Sequence, residues 1–311
     1  MMRKGIWGMV LVCIIIVVSS NAALAAANTT KKIGVLTLNN NSSFHNLGVM
    51  AADMLTADLI KLKSCTIVER SELSRVFEEQ AMGARGFLDE ATVTKLGGIL
   101  GLDYLVMGTV DGILKEEPGH YYYYDKYDKK TKQTRKEKRW VDSKFNTSAN
   151  LTIKIVDVKN GQIVWSGQTS GDSSDKSISG AVTEAAYNLV REIYHFIPVQ
   201  GYVIKVVGDK YTIDLGTKHN MAKRDKLLVT GAGETIQHPV TGQLIVSKKN
   251  IAELEVVEVF DTICVAKRKD KDSDKNPQLQ KYVKVGDTVT RQLRKKPSGF
   301  LGLGWSGKHE F

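Results

Sequence analysis

"IVERSELSRVFEEQAMGARGFLDEATVTKLGGILGLDYLVMGTV", residues 67–110, changes its apolar period three times. It opens on the end of a β-rich run, "SCTIVE". Ser71 then stands where a helix cap would, ahead of Leu73, Val76 and Phe77 at helical spacing. "AMGARGFLDE" reads as a glycine-broken loop. Asp89 can cap a second helix with Val93, Leu96 and Leu100 inward, and Gly101 supplies its stop. "DYLVMGTV" closes the stretch as a buried strand.

Working outward toward the N-terminus, "KIGVLTL" (32–38) is another short strand. Asn39–Ser43 is a polar loop with several candidate N-caps. Leu47, Met50, Ala51, Met54, Leu55, Leu59 and Leu62 then fall on one helical stripe. The order is β-α-β-α-α-β, and strands separated by helices predict a sheet with helices packed on it.

Beyond residue 110 the pattern changes. "TSANLTIKIVDVKNGQIVWSGQ" predicts a β-hairpin whose Asn160-Gly161 pair suits a type I′ turn. "GDSSDKS" is a loop, and Ser177 or Ser179 caps an amphipathic helix carrying Val182, Ala185, Ala186, Leu189, Ile193 and Phe196. Pro198 ends it. From Gly201 short strands follow at close intervals: "YVIKVV", "KYTIDL", "KLLVT", "AELEVVEVF", "TICVAKR" and "VKVGDTV". Gly208-Asp209, Gly216, Gly231-Ala232-Gly233 and Thr241-Gly242 read as the turns between them. Residues 270–278 read as a mobile polar loop. The expected fold class is α+β: an N-terminal α/β sheet domain with helices packed on it, then a small all-β barrel or sandwich.

The chain's first residues address its compartment. Arg3 and Lys4 precede an apolar run from Ile6 to Val18 and then Ala23-Leu24-Ala25. A basic n-region, an apolar core and an A-x-A site make a secretory signal peptide over residues 1–25. Ser19, Ser20 and Asn21 interrupt the run before the roughly 20 apolar residues that a spanning helix needs. Cys13 lies inside the apolar run and no cysteine sits at the cleavage site, so no lipid anchor is expected. The domains expected after the signal are an α/β domain over 28–198, a β-domain over 199–292 and a loose tail over 293–311. Cys65 and Cys264 fall in different domains within apolar runs, which favours two buried free thiols over a disulfide. The formal charge is +10, of which Arg3 and Lys4 supply two. In an exported protein that balance speaks for acidic proteins or anionic envelope surfaces as partners, and against nucleic acid.

The quoted stretch resembles the curli-production assembly family, the CsgG-like (CsgG/TolB-N-like) domain, in the ordered words "VER", "EQ", "KLG" and "LGLDYLVMGTV". "IVDVKNGQIVWSG" is similar to the hairpin that follows in that family. The motif positions are Glu69, Arg70, Gly97, Gly101 and Gly108. Glu69-Arg70 is expected to make an ion pair at a strand-to-helix corner, with an intersubunit contact as the alternative. The C-terminal "GYVIKVVGDKYTIDLG" and "KRDKLLV" resemble the β-domain of the flagellar T-ring protein (FlgT-like). These resemblances imply an envelope protein that assembles or supports a machine, with no catalytic activity and no cofactor. Relatives of the fold form rings or activate cell-wall synthases, so self-association into a homo-oligomer is a further expectation.

Curli-type channels are lipoproteins and give two membrane hairpins to a shared barrel. They should fall near residues 111–150, which contain "GHYYYYDKYDKKTKQTRKEKRW" (119–140), and near residues 168–180. Eight basic residues crowd Lys126 to Arg139, at both parities of an extended strand. A lipid-facing Lys or Arg at mid-membrane costs about 2–4 kcal/mol. The second slot, "QTSGDSSDKSIS", is short and polar. A pore is therefore disfavoured.

The arm, about residues 115–145, reads instead as an extended solvated hairpin: "HYYYYDKY" going out and "RWVDSKFNTSANLTIKIVD" returning. A disordered charged loop is the competing reading. As a partner-binding arm it offers Tyr121, Tyr122, Tyr123, Tyr124, Lys126, Lys129, Lys130, Arg135, Lys136, Arg139 and Trp140.

Nothing in the sequence marks an active site. His45, His120, His195, His219, His238 and His309 make no HxxxH or HExxH spacing. "GAGETIQHPVTG" lacks the lysine and hydroxyl that end a phosphate loop and reads as a surface turn. The function expected is a non-enzymatic exported envelope assembly or scaffold factor, periplasmic or at the outer membrane. The alternatives are a curli-type channel subunit and, third, a hydrolase or ligand-binding enzyme.

Overall fold

A computed structural model describes residues 30–79, 90–173, 177–268, 283–295 and 311. The signal peptide, the Asp89 cap, and the 270–278 loop lie outside the described residues. Lys31–Phe311 forms one compact unit. Among the described residues no helix is long and apolar enough to cross a membrane, a statement that does not concern strands.

The first half of the unit is a mixed sheet. β1 (Lys31–Val35) lies between β3 (Cys65–Val68) and β4 (Tyr104–Glu117), parallel to both. A two-residue β2 (Asn39–Asn40) pairs with β4 farther along. β7 (Lys144–Asp157) and β8 (Ile163–Ser173) continue the sheet antiparallel beyond β4. Alternation sorts the side chains onto two faces. Val106 and Ile155 point into one core beneath α1 (Leu47–Leu62) and α4 (Ile178–Phe196). Their chain neighbours Leu105 and Val156 point into a second core with Leu73 and Val76 of α2 (Arg70–Glu79). α3 (Glu90–Leu100) runs before β4 and ends at Gly101, whose φ of +62° no other residue adopts as cheaply.

Both long helices form because one stripe can be buried. Leu47, Leu55, Leu59 and Leu62 of α1 are fully buried, each contributing about 1.5–3 kcal/mol. Val182, Leu189 and Ile193 do the same for α4, where Ala185 and Ala186 are also buried. The caps differ from expectation. α1 starts at Asn46 in a left-handed conformation without a side-chain cap, while Asn40 organises the preceding loop by accepting from the Ser42 N–H at 3.0 Å. Glu69, not Ser71, stands at the start of α2, its carbonyl accepting from the Glu72 and Leu73 N–H groups.

The second half is a closed six-stranded antiparallel barrel. Its strands are β9 (Gln200–Val207), β10 (Lys210–Ile213), β11 (Lys226–Gln237), β12 (Leu244–Val259), β13 (Cys264–Arg268) and β14 (Thr288–Arg291). They close in the order β10-β13-β12-β11-β14-β9. The barrel-or-sandwich alternative therefore resolves as a barrel. Val203, Ile213, Leu227, Val229, Leu254, Val256, Cys264, Ala266 and Val289 fill it, continuous with the core under α1 and α4. Cys65 and Cys264 are both free and buried.

Three expectations need correction. Gly231-Ala232-Gly233 is not a turn but lies inside β11, where the register shifts between Ala232 and Thr235. The turn at 157–162 is not type I′. Only Gly161 has positive φ, at +70°, whereas type I′ needs two such residues. The tail from 293 is not loose at its start: Leu293 packs on the core and Arg294 pairs with Asp225 at 2.8 Å. Phe311 is buried as well, its ring 5.1 Å from that of Tyr187.

Candidate functional site: a projecting basic hairpin

β7 pairs with both β4 and β8 only from Thr147 to Val156. Toward Glu117 and Lys144, β4 and β7 have no other neighbour and leave the body as a two-stranded ribbon. Pro118 has no N–H and Gly119 no side chain, and the ladder breaks there. It resumes with His120 opposite Val141, as β5 (His120–Asp128) against β6 (Gln133–Val141). The outgoing and returning arms are thus each two strands. The continuous return strand expected over 139–157 is interrupted at Asp142-Ser143. Trp140 braces the break: a Cβ on Gly119 would sit 2.5 Å from its ring, and its indole meets Tyr121 edge-on at 4.9 Å.

All the arm residues expected from sequence come together in this hairpin. Tyr121, Tyr123, Lys136 and Trp140 share one face; Tyr122, Tyr124, Lys126, Arg135 and Arg139 share the other. Lys129 and Lys130 sit in the tip turn. Lys138, not singled out in the sequence, lies 4.5 Å above the Tyr121 ring, a cation–π contact. Glu137, also not singled out, organises the second face. It accepts from Tyr124 Oη at 3.1 Å, Lys126 Nζ at 3.0 Å and Arg135 Nε at 3.3 Å. The hydrogen bond from Lys126, followed by that from Tyr124, holds its carboxyl below the usual glutamate range. The signal that could have found it is plain afterwards: it is the lone acid between Gln133 and Arg139.

The tip is built as a specific turn. Asp128 accepts from the Lys130 N–H at 2.8 Å and the Thr131 N–H at 3.4 Å, and Lys132 takes φ +55°. Those backbone hydrogen bonds lower the Asp128 carboxyl. The turn at the other end of the sheet repeats the plan. Asp157 accepts from Lys159 at 2.8 Å, and Gly161 has φ +70°. "DKKTKQ" and "DVKNGQ" align residue for residue at these positions.

Between Lys126 and Arg139, eight basic residues face two acidic ones, Asp128 and Glu137. The five consecutive rungs from Tyr122↔Arg139 to Lys126↔Arg135 each carry an ionic side chain, so both faces are charged. Neither face offers lipid an apolar band.

Residues 17–187 match the family described as "Curli production assembly/transport component CsgG", more than half of the chain. The chain belongs to the CsgG family. The match ends inside α4, before the barrel. Three solved structures are distant likenesses of this CsgG-family chain. Lipoprotein GNA1162 from Neisseria meningitidis is 20% identical, with TM-score 0.32, over 53% of this chain and 99% of its own. The LpoB C-terminal domain from Salmonella enterica is 15% identical, with TM-score 0.31, over 47% and 83%. The PelC dodecamer from Paraburkholderia phytofirmans is 14% identical, with TM-score 0.30, over 52% and 86%. No curated protein matches the chain significantly.

The CsgG-type motif residues make contacts within the chain. Arg70 pairs with Asp53 of α1, while Glu69 accepts from the Ser71 hydroxyl at 3.3 Å. The corner ion pair therefore reaches across to another helix of the same chain. Gly97 and Gly108 permit close approach: a Cβ would lie 1.5 Å from Val158 and 2.0 Å from the Thr152 carbonyl. A cavity of about 590 Å³ opens beside the end of α1, lined by Lys61, Lys63, Asn220, Arg294 and Phe311. Among the described residues, no group of three or more His, Cys, Asp or Glu side chains converges as metal ligands would.

Proposed function

We propose that this CsgG-family chain is a non-enzymatic, exported envelope assembly factor that engages an acidic protein partner through the β5–β6 hairpin. Its place would be the periplasm or the periplasmic side of the outer membrane, as the N-terminal signal pattern implies. The observation carrying the proposal is the arm's construction. A ribbon held by its own ladder, a glutamate-centred network and a braced tryptophan present basic groups and tyrosines away from the body. Such a surface favours partners of opposite charge and speeds their encounter. Five exposed tyrosines, Tyr121–Tyr124 and Tyr127, add contact area at small entropic cost. The family's description as an assembly or transport component supports an assembly role. The resemblance of the barrel to the flagellar T-ring domain is carried as part of the same proposal, with the barrel as a second docking module. Self-association of the α/β half is compatible with it.

The channel reading, which the family also suggests, meets an energetic obstacle. Whichever face of β5–β6 met lipid would place cations there, each at about 2–4 kcal/mol at mid-membrane. The test is twofold. A crosslinking pull-down from intact cells should lose one abundant envelope partner when Tyr121–Arg139 is deleted. The purified chain added to liposomes should produce no conductance. An unchanged partner list, or steady unitary currents, contradicts the proposal.

A further inference from the structure

A second hairpin leaves the molecule, with the opposite chemistry. β11 pairs with β14 only from Leu227 to Thr230, and β12 pairs with β13 only from Leu254 onward. Beyond Gly231 and Lys249, the two strands have only each other. In a chain that is 25% charged, residues 235–247 carry no Asp, Glu, Lys or Arg.

The apolar residues of this end do not lie on one face. Ile236 stands opposite Ile245 on one side of the ribbon, while Leu244 and Val246 point to the other. Val240 crowns the turn at 86% exposure, and Leu244 is 66% exposed. A strand that docks on a protein needs one apolar face; an uncharged end with apolar side chains on both sides, interspersed with neutral polar ones such as Thr235 and Gln237, suits the membrane interface.

The turn is also prepared for loss of water. Its backbone donors are all spoken for from within. The Val240 and Thr241 N–H groups both donate to His238 Nδ1 at 3.2 Å. Gly242 donates to the His238 carbonyl at 2.9 Å, and His238 to the Gln243 carbonyl at 2.8 Å. Gln243 donates to Thr241 Oγ1 at 3.4 Å, and Pro239 has no N–H to satisfy. In lipid an unmet backbone donor is expensive, and here none is left at the tip. The tip of the basic arm, by contrast, is ringed with lysines.

Below the apolar end sits a basic collar. Lys248 and Lys249 are consecutive, so they face opposite sides of the ribbon, level with Ala232 and Gly231. Glu234 is the single acid of the ribbon itself at that level, and the Asp287 carboxylate lies beside Gly231 at the ribbon's base. At about 3.4 Å per residue the ribbon from Leu244 to Ser247 spans about 10 Å. That matches the 5–10 Å to which interfacial elements sink. It falls short of the roughly 9–11 residues per strand that crossing requires.

We propose that the β11–β12 hairpin is a membrane-interface anchor: its uncharged end enters the headgroup–acyl boundary of an anionic bilayer, and Lys248 and Lys249 rest among the headgroups. The long lysine stems allow this placement. The anchor is independent of the protein-docking role of the β5–β6 arm.

The test uses the compact unit Lys31–Phe311 with vesicles of phosphatidylethanolamine and phosphatidylglycerol. Wild-type protein should float with the vesicles. A Val240→Asp/Leu244→Asp variant, both sites being exposed and outside the barrel, should bind roughly tenfold more weakly or worse. Deleting Tyr121–Arg139 should leave vesicle binding in place, which separates this result from failure of the docking proposal. A Val240→Trp variant should shift its emission to the blue on vesicles and be quenched by bromine-labelled acyl chains. Unchanged emission, undiminished binding of the Asp variant, or capture of a protein by the tip without any vesicle binding overturns the anchor.

Discussion

The guanidinium of Arg291, on the last barrel strand, donates at 3.1 Å to the carbonyl of Leu62, the last residue of α1 and 229 positions earlier. The same side chain holds the carbonyls of His219 and Asn220 at 3.3 and 2.9 Å. Tyr194 of α4 donates to the Arg291 carbonyl in turn. A helix end leaves carbonyls without intrahelical partners and carries partial negative charge. A buried cation there satisfies both needs, and it joins the barrel to both long helices.

Replacing Arg291 with Met should therefore destabilise the whole unit. The Leu62 and His219 carbonyls lose the Arg291 donor and the Asn220 carbonyl is left with Arg294, so a loss of about 2–4 kcal/mol is expected in urea unfolding. Arg291→Lys should recover only part of it, since an ammonium cannot reproduce the forked geometry. A midpoint unchanged in Arg291→Met would show the junction to be dispensable.

The paired turns make a second prediction. Lys132 holds a left-handed conformation where the matching turn has Gly161. Lys132→Gly should relieve about 1 kcal/mol of local strain, seen as slower amide exchange along Tyr121–Tyr124. Gly161→Ala should cost about 1–2 kcal/mol in global stability.

The two thiols give a pH signature. Burial pushes Cys65 up to about 11 and Cys264 up to about 12. An unfolded thiol titrates near 8.5. The folded state keeps its protons where the unfolded state loses them, so this contribution is full below that value. It declines as pH rises toward 11 to 12. Stability should fall over that alkaline window, and Cys65→Ala/Cys264→Ala should flatten the fall. Native protein at pH 8 should react slowly with thiol reagents and quickly once unfolded.

Deleting Tyr121–Arg139 and closing the ribbon with a short turn should change global stability by less than about 0.5 kcal/mol. β5 and β6 pair with nothing but each other. A large loss in calorimetry would mean that the arm belongs to the folded core.

The reach of sequence reasoning is uneven for physical reasons. The two long helices were legible because Leu55, Leu59 and Leu62, and Val182, Ala186 and Leu189, repeat at a period that only a buried helix face explains. The arm was legible in part, because a run of aromatics such as Tyr121–Tyr124 suits an exposed strand, while its lysines on both parities spoke only against lipid and left a disordered loop as an alternative. Its break was not, since Pro118 and Gly119 could as readily have begun a loop. Gly231-Ala232-Gly233 looks like a turn by composition, yet a bulge absorbs it and β11 continues. Asn160-Gly161 misled because one left-handed glycine closes the turn without a second positive φ. Arg291 is locally an ordinary strand-end cation; its burial depends on helix ends hundreds of residues away. Glu137 matters through its neighbours across the ladder, which no window along the chain reveals.

The central claim is that the β5–β6 hairpin meets a protein partner in water. A photo-crosslinking residue placed at Tyr123, which is 64% exposed, in intact cells tests it most directly. The account predicts a discrete crosslinked band to one acidic envelope protein, lost when Lys126, Arg135 and Lys136 are changed to Glu. Crosslinks confined to lipid, or to neighbouring copies of the chain in a conducting oligomer, would contradict it.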